Sequence, residues 1–250
     1  MRIEAVVVCV GYADFLCWSL PLNRQHFDDM VVVTSTEDER TARVCEVYNV
    51  RCVKTNIFKE EFNKGAGINL GLAQLKCTDW VVHLDADIVL PSRFREMLKV
   101  AQIEPENIYG CSRMNAVGFR AWLQYFTNPR PLIHKQIYVF NDIFPMSPTI
   151  SKLWPDLDFE FEKGYLPLGY LQIWNQGLKK MKYPEQHGDA ARGDMEFALQ
   201  WPRKNRILIP EINVTHLVSK DGVEQGKNWG GRMSAPFDLT EIEGCSTSPS

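Results

Sequence analysis

Apolar residues fall in short dense runs along the first hundred positions, and between the runs their spacing becomes helical. Ile3-Glu4-Ala5-Val6-Val7-Val8-Cys9-Val10 is β-branched and stopped by Gly11, which reads as a strand buried on both faces. Asp14 to His26 has helical character, interrupted near Pro21. Met30-Val31-Val32-Val33-Thr34 is a second buried strand. Ser35 or Thr36 is placed to cap the next helix, with Asp38 or Glu39 at capping-box distance. That helix carries Ala42, Val44, Cys45 and Val47 and stops near Asn49. Val50 to Thr55 gives a third strand, Lys64 to Leu75 a helix after a glycine-bearing turn, and Asp79 to Leu84 a fourth strand ending at Asp85-Ala86-Asp87. Pro91 and Ser92 open a further helix, to about Ala101.

Strands alternating with helices predict βαβ units, right-handed crossovers and a mostly parallel sheet flanked by helices: an α/β, Rossmann-like fold. Ligands of such sheets bind beyond the carboxyl ends of the strands, where Gly11, Thr34 and Asp85 all fall. The second half is less regular. Ala116 to Phe126 fits an amphipathic helix with Phe119, Trp122, Leu123 and Phe126 on one face. Gly169 to Trp174, Arg206 to Ile209 and Glu211 to Leu217 read as strands, and Met195 to Trp201 as a helix. Residues 107–141 mix Arg113, Arg120, Arg130 and Lys135 with seven aromatics and no acid, whereas the next stretch is acidic. With no repeat and no convincing linker, one domain is expected over 1–240, with a disordered polar tail at 241–250.

Composition narrows the class. With 45% hydrophobic residues over 250 positions, neither wholesale disorder nor a small disulfide scaffold fits. No apolar run approaches the roughly 20 residues of a membrane span. Met1-Arg2-Ile3-Glu4 runs straight into strand-like sequence, so no signal peptide is expected and the location expected is cytoplasmic. The seven cysteines are odd in number, without C-x-x-C spacing, and read as buried free thiols. The formal charge of −3 argues against indiscriminate nucleic-acid binding but allows a local basic groove.

The sharpest chemical signal is His83-Leu84-Asp85-Ala86-Asp87-Ile88-Val89-Leu90. In an extended chain residues i and i+2 point the same way, so Asp85 and Asp87 would repel unless a cation sat beside them. Oxygen ligands suit Mg²⁺ or Mn²⁺, whose use would be to neutralise a diphosphate leaving group. A solvated turn with two capping acids is the plainer alternative. Lys64, Gly65 and Gly67 open a helix, where glycines permit close approach, the helix start favours anions, and Lys64 can meet a phosphate. Gly11-Tyr12 would flank a nucleotide base, with Tyr12 stacking on it.

In five pieces across residues 3–217 the chain resembles the GT-A glycosyltransferases, nearest the family-2-like enzymes. VVVCVGYADFL resembles their donor-binding strand, FNKGAGINLGL their glycine-rich helix start, and HLDADIVLP their D-x-D strand. GYLPLGYLQIW resembles their acceptor-side segment and ARGDMEFALQW the segment carrying the general base. The resemblance implies a GT-A-like fold, with a donor-binding half at 1–105 and an acceptor-binding half at 106–240. It implies a nucleotide-diphosphate sugar as donor, a UDP-sugar first among them, and Mn²⁺ or Mg²⁺ as cofactor. Asp85 would contact the ribose or sugar and the metal, Asp87 would be the principal metal ligand, and His216 a further one. Gly11, Tyr12, Thr34, Lys64 and Asn69 would bind the donor. Gly169, Gln172 and Trp174 would line the acceptor side. Asp194 would be the base of an inverting displacement, with Glu196 as rival. Arg232, in the loop Gly226-Lys227-Asn228-Trp229-Gly230-Gly231-Arg232, would close over the diphosphate. Two positions depart from the pattern: the acids usually ending the second strand are displaced to Glu37 and Asp38, and Gly193 stands where an acid often precedes the base.

The acceptor is open between a carbohydrate and a hydroxymethylated nucleic-acid base. Fold-level analogy to phage enzymes that decorate modified DNA suggests the latter, and would place the chain in a host cytoplasm. The alternatives are a sugar-phosphate nucleotidyltransferase, against which the lack of a G-x-G-T-R-like loop after the first strand counts, and a non-catalytic nucleotide-sugar or nucleic-acid binding module.

Overall fold

The computed structural model describes residues 1–117, 165–185 and 190–218. The first half forms β1 (Ile3–Val8), α1 (Ala13–Asn23), β2 (Asp29–Ser35), α2 (Glu39–Val47), β3 (Arg51–Thr55), α3 (Lys64–Leu72) and β4 (Trp80–Leu84). It continues through β5 (Ile88–Val89), α4 (Phe94–Val100) and β6 (Ile108–Val117). Then come β7 (Leu171–Asn175), α5 (Ala190–Ala198) and β8 (Arg206–Val218). The strands make one mixed sheet in the order β3-β2-β1-β4-β7-β6-β8-β5. Pairing is parallel for β1–β2, β1–β4, β2–β3 and β6–β8, and antiparallel for β4–β7, β6–β7 and β5–β8. The α/β class with a mostly parallel sheet is therefore as expected. From β1 the chain builds outward to β2 and β3, then returns to add β4 on the other side. Loops leaving β1 and β4 thus diverge, which opens a crevice at that switch point.

β1 is apolar from Ala5 to Val8 and buried throughout because helices cover both faces of the sheet. Ala5, Val7 and Cys9 pack with Leu16 and Leu20 of α1, Val44 of α2 and Phe94 and Leu98 of α4. Val6 and Val8 pack instead with Ile68 and Leu72 of α3 and Phe197 and Ala198 of α5. The glycines of α3 bring it onto the sheet: a Cβ at Gly71 would lie 2.4 Å from Val6 Cγ2, and one at Gly67 2.7 Å from the Phe58 ring. Backbone contact therefore fixes α3, and with it Lys64 in its first turn.

Several expectations change. Asp38 caps α2 by accepting from Thr41 N at 3.0 Å, a role assigned above to Ser35 or Thr36. Pro21 lies inside α1 without ending it, since it removes a ladder bond only close to the helix end. β6 was not anticipated, and Ala116 and Val117 finish it rather than starting a helix. β8 is one strand where two were expected. Its register with β6 jumps from Ile209 to Asn213 beyond Pro210, whose missing N–H cannot serve the ladder. α5 starts at Ala190, ahead of the expected Met195. The remainder of the predicted 116–126 helix, Arg120, Arg130 and Lys135 of the basic segment, the loop with Trp229 and Arg232, the tail and Cys245 lie outside the described residues. The six described cysteines are free thiols, with Cys52 half-buried and the others buried. No helix among the described residues is long and apolar enough to cross a membrane.

Candidate active site

The acids after β4 lie on a tight turn, closed by Ile88 N donating to Asp85 O at 3.2 Å, and not on extended chain. They consequently face different partners. Asp85 Oδ1 is 2.9 Å from Lys64 Nζ, while Asp87 Oδ2 is 3.3 Å from His216 Nε2. Pairing of β5 with β8 sets Ile88 opposite His216, and Leu217 N donates to Asp87 O at 2.8 Å. On the other side of β8, Asn115 is in register with His216 and presents its Oδ1 to Nδ1 at 3.0 Å. An amide oxygen accepts, so Nδ1 donates to Asn115, while Nε2 stands within hydrogen-bond distance of the Asp87 carboxylate. This orientation, with the far ring nitrogen donating to an oxygen, is the one a metal-ligating histidine takes. Among the described residues no three His, Cys, Asp or Glu side chains are grouped to hold a metal ion. Asp87 and His216 would supply two ligands, a number that fits Mg²⁺ or Mn²⁺ bound largely through water and phosphate oxygens.

The second centre is Lys64. Its buried ammonium donates to Asp194 Oδ2 at 2.9 Å and to Gly169 O at 3.3 Å, and pairs with Asp85 Oδ1. Burial alone would favour the neutral amine, but the Asp194 and Asp85 carboxylates outweigh it and raise the Lys64 pKa above its usual value. Asp85 is raised in turn, by burial and then by Asp87, against the pull of Lys64. Lys64 therefore engages carboxylates rather than facing the crevice as the phosphate contact its sequence context suggested. Asp194 rests against Gly169, where a Cβ would fall 1.8 Å from its carboxyl carbon. Glu196, two residues on and on another face of α5, pairs with Arg192 at 2.8 Å. Only Asp194 of the two turns to this centre.

A buried polar chain supports it. Gln172 donates through Nε2 to Pro167 O at 2.8 Å and to Asp194 O at 3.0 Å. Its Oε1 accepts from the Tyr183 hydroxyl, whose oxygen lies 3.2 Å from His83 Nδ1. The direction of these bonds puts the His83 proton on Nδ1 and its Nε2 lone pair 3.8 Å from Asp85 Oδ1. Burial and the Lys64 charge hold His83 well below its usual pKa, so the ring is neutral. His83 is a sheet residue, as read from the sequence, and also the end of this chain.

The remaining assigned positions divide. Gly11 adopts φ +69°, and its N–H donates to Asp38 Oδ2 at 2.7 Å. The Thr34 hydroxyl donates to the same oxygen at 3.0 Å. The displaced acid of the second strand thus folds back to the carboxyl ends of β1 and β2. Tyr12 stacks on Phe15 at 5.4 Å. Asn69 is not turned to a donor: its amide ties α3 to Tyr183 N, Tyr183 O and Glu185. Gln172 and Trp174 are fully buried, Trp174 edge-on to Phe197 in the core, so neither lines an acceptor face. Alternation along β7 explains this, because both of its faces are covered. Sequence reasoning missed Asn115 and Tyr183; neither carried a signal, since β6 was not anticipated and Tyr183 lies in irregular chain.

No family model and no curated protein matches the sequence. Among solved structures, mannosyl-3-phosphoglycerate synthase from Rubrobacter xylanophilus is similar over 46% of this chain and 41% of its own, at 16% identity and TM-score 0.38. This chain thus spans less than half the length of that one. Glucosyl-3-phosphoglycerate synthase from Mycobacterium tuberculosis, in complex with Mn²⁺, UDP and glucosyl-3-phosphoglycerate, is similar over 97% of this chain and 75% of its own, at 15% identity and TM-score 0.48. Its complex with phosphoglyceric acid aligns over 87% and 70%, at 14% and 0.47. Similarity at this level assigns no activity, which has to be argued from the site.

Proposed function

We propose that the chain is a metal-dependent glycosyltransferase that moves a sugar from a nucleotide-diphosphate sugar, a UDP-sugar first among donors, to an acceptor hydroxyl with inversion. The observation that carries this reading is the meeting, at the β1–β4 switch point, of a cation-type pair and a separate buried carboxylate. Asp87 and His216 would hold Mn²⁺ or Mg²⁺, with Asp85 beside them on the same turn. The ion, when bound, neutralises the charge that develops on the departing diphosphate. Asp194 takes the proton of the acceptor hydroxyl as that oxygen attacks the anomeric carbon, and the bond to the diphosphate oxygen breaks with its electron pair. The acceptor class stays between a carbohydrate and a hydroxymethylated base.

The test begins with a thermal-shift panel of nucleoside diphosphates and their sugars with and without Mn²⁺. A ligand at 100 times its dissociation constant stabilises by about 2.7 kcal/mol, which is readily measured. Asp87→Asn should lose the metal-dependent shift and donor turnover. Asp194→Asn should keep the shift while transfer falls by about 10²–10⁴-fold. Undiminished turnover in Asp87→Asn would overturn the reading.

A further inference from the structure

We propose that Lys64 is a positioning residue: its ammonium holds the Asp194 carboxylate in the orientation that accepts the proton, and sets its place relative to Asp85. The proposal rests on the reading of Asp194 as base.

Lys64 sits where a lysine is costly. It is the first residue of α3, capped by Asn63, and a helix start disfavours a cation. It is also buried, at 6% exposure, where an apolar side chain of the same volume is usually no less stable than an ion pair. Stability alone therefore does not account for it. The ammonium donates to Asp194 Oδ2 and Gly169 O and forms an ion pair with Asp85 Oδ1. Three contacts at once fix the ammonium in space, and the two carboxylates with it.

The supports are rigid. The glycine face of α3 lies on β1, and a Cβ at Gly65 would fall 2.0 Å from Pro184 O, so the start of α3 cannot drift outward. Asp194 is held at its carbonyl by Gln172 and lies against Gly169. Lys64 engages the carboxylate itself, at Oδ2. Asp85 belongs to the turn after β4 and Asp194 to α5, so one ammonium spaces a donor-side group from an acceptor-side group. Loss of Lys64 should then misplace the base without removing the sites for nucleotide and cation.

The experiment compares Lys64→Met and Lys64→Arg, each alone and combined with Asp194→Asn. Lys64→Met should lower kcat by about 10²-fold, the scale expected for a misplacement near 1 Å. In the Asp194→Asn background the same change should have almost no further effect on kcat, because residues acting through one another are not additive. A merely structural lysine would give additive losses, and that result, or full kcat in Lys64→Met, overturns the proposal. Should Lys64→Met not fold, the cycle is run with Lys64→Arg, which keeps charge but not the three-way geometry. A crystal structure of the Lys64 variant separates the two readings. If the wild-type chain turns over no nucleotide sugar, the functional reading falls, and an unmoved Asp194 side chain in the variant overturns the positioning role on its own.

Discussion

A methyl group at position 169 would meet the Asp194 carboxyl carbon at 1.8 Å, so Gly169 is the space into which the side chain folds. Gly169→Ala should push the carboxylate aside, leave cation and nucleoside-diphosphate binding in place, and lower transfer by about 10²-fold. Steady-state kinetics beside a nucleotide-binding isotherm check this, and unchanged kcat would mean that the carboxylate position is not limiting. At this scale the sequence identified residue types better than their partners. Asp85, Asp87, Asp194 and His216 all lie at the site. The partners depend on whether the acids sit on a strand or a turn, and Ile88 N closing on Asp85 O is a local choice that the D-x-D spacing does not reveal. Trp174 went to the interior, and the Asn69 amide to the Tyr183 backbone, because tertiary contacts, which a linear pattern does not display, had use for them.

Among the elements, α2 shows how one cap can organise a loop. Asp38 accepts from Thr41 N and Thr41 Oγ1 of its own helix, and also from Gly11 N and Thr34 Oγ1. Asp38→Ala should therefore cost about 2 kcal/mol, the upper end for a lost N-cap, because other donors lose their acceptor as well. Urea unfolding measures it, and a loss within 0.5 kcal/mol, roughly the scale of a neutral surface change, would contradict the shared role. The βαβ part was legible because β1, β2 and β4 are largely apolar and buried on both faces. β6 was not. Ile108 to Val117 carries Ser112, Arg113 and Asn115 and shows no alternation, and it becomes a strand only because β7 and β8 lie on either side.

For the molecule as a whole, acid sensitivity follows from buried imidazoles. His26, edge-on to Phe94, has its pKa lowered by burial and, less strongly, by Arg95, against an opposing pull from Glu96. His83 is lowered in the same direction. A lowered folded pKa means that the unfolded chain takes up the proton first as pH falls below 6.5, so stability declines there. Each such histidine contributes a slope of up to about 1.4 kcal/mol per pH unit. Urea midpoints measured from pH 7 down to about 5 should fall, and less steeply for His26→Asn. A flat acid limb would show that the rings are charged in the fold.

The ammonium on α3 also joins regions built by different rules: the parallel strands that end in the Asp85 turn, and the helix that follows the antiparallel β7. Under the proposed transfer, substitutions made for new donors and those made for new acceptors will consequently not combine freely. Epistasis will concentrate across this junction, and a library that varies both sides together will reach combinations that stepwise optimisation of either side misses.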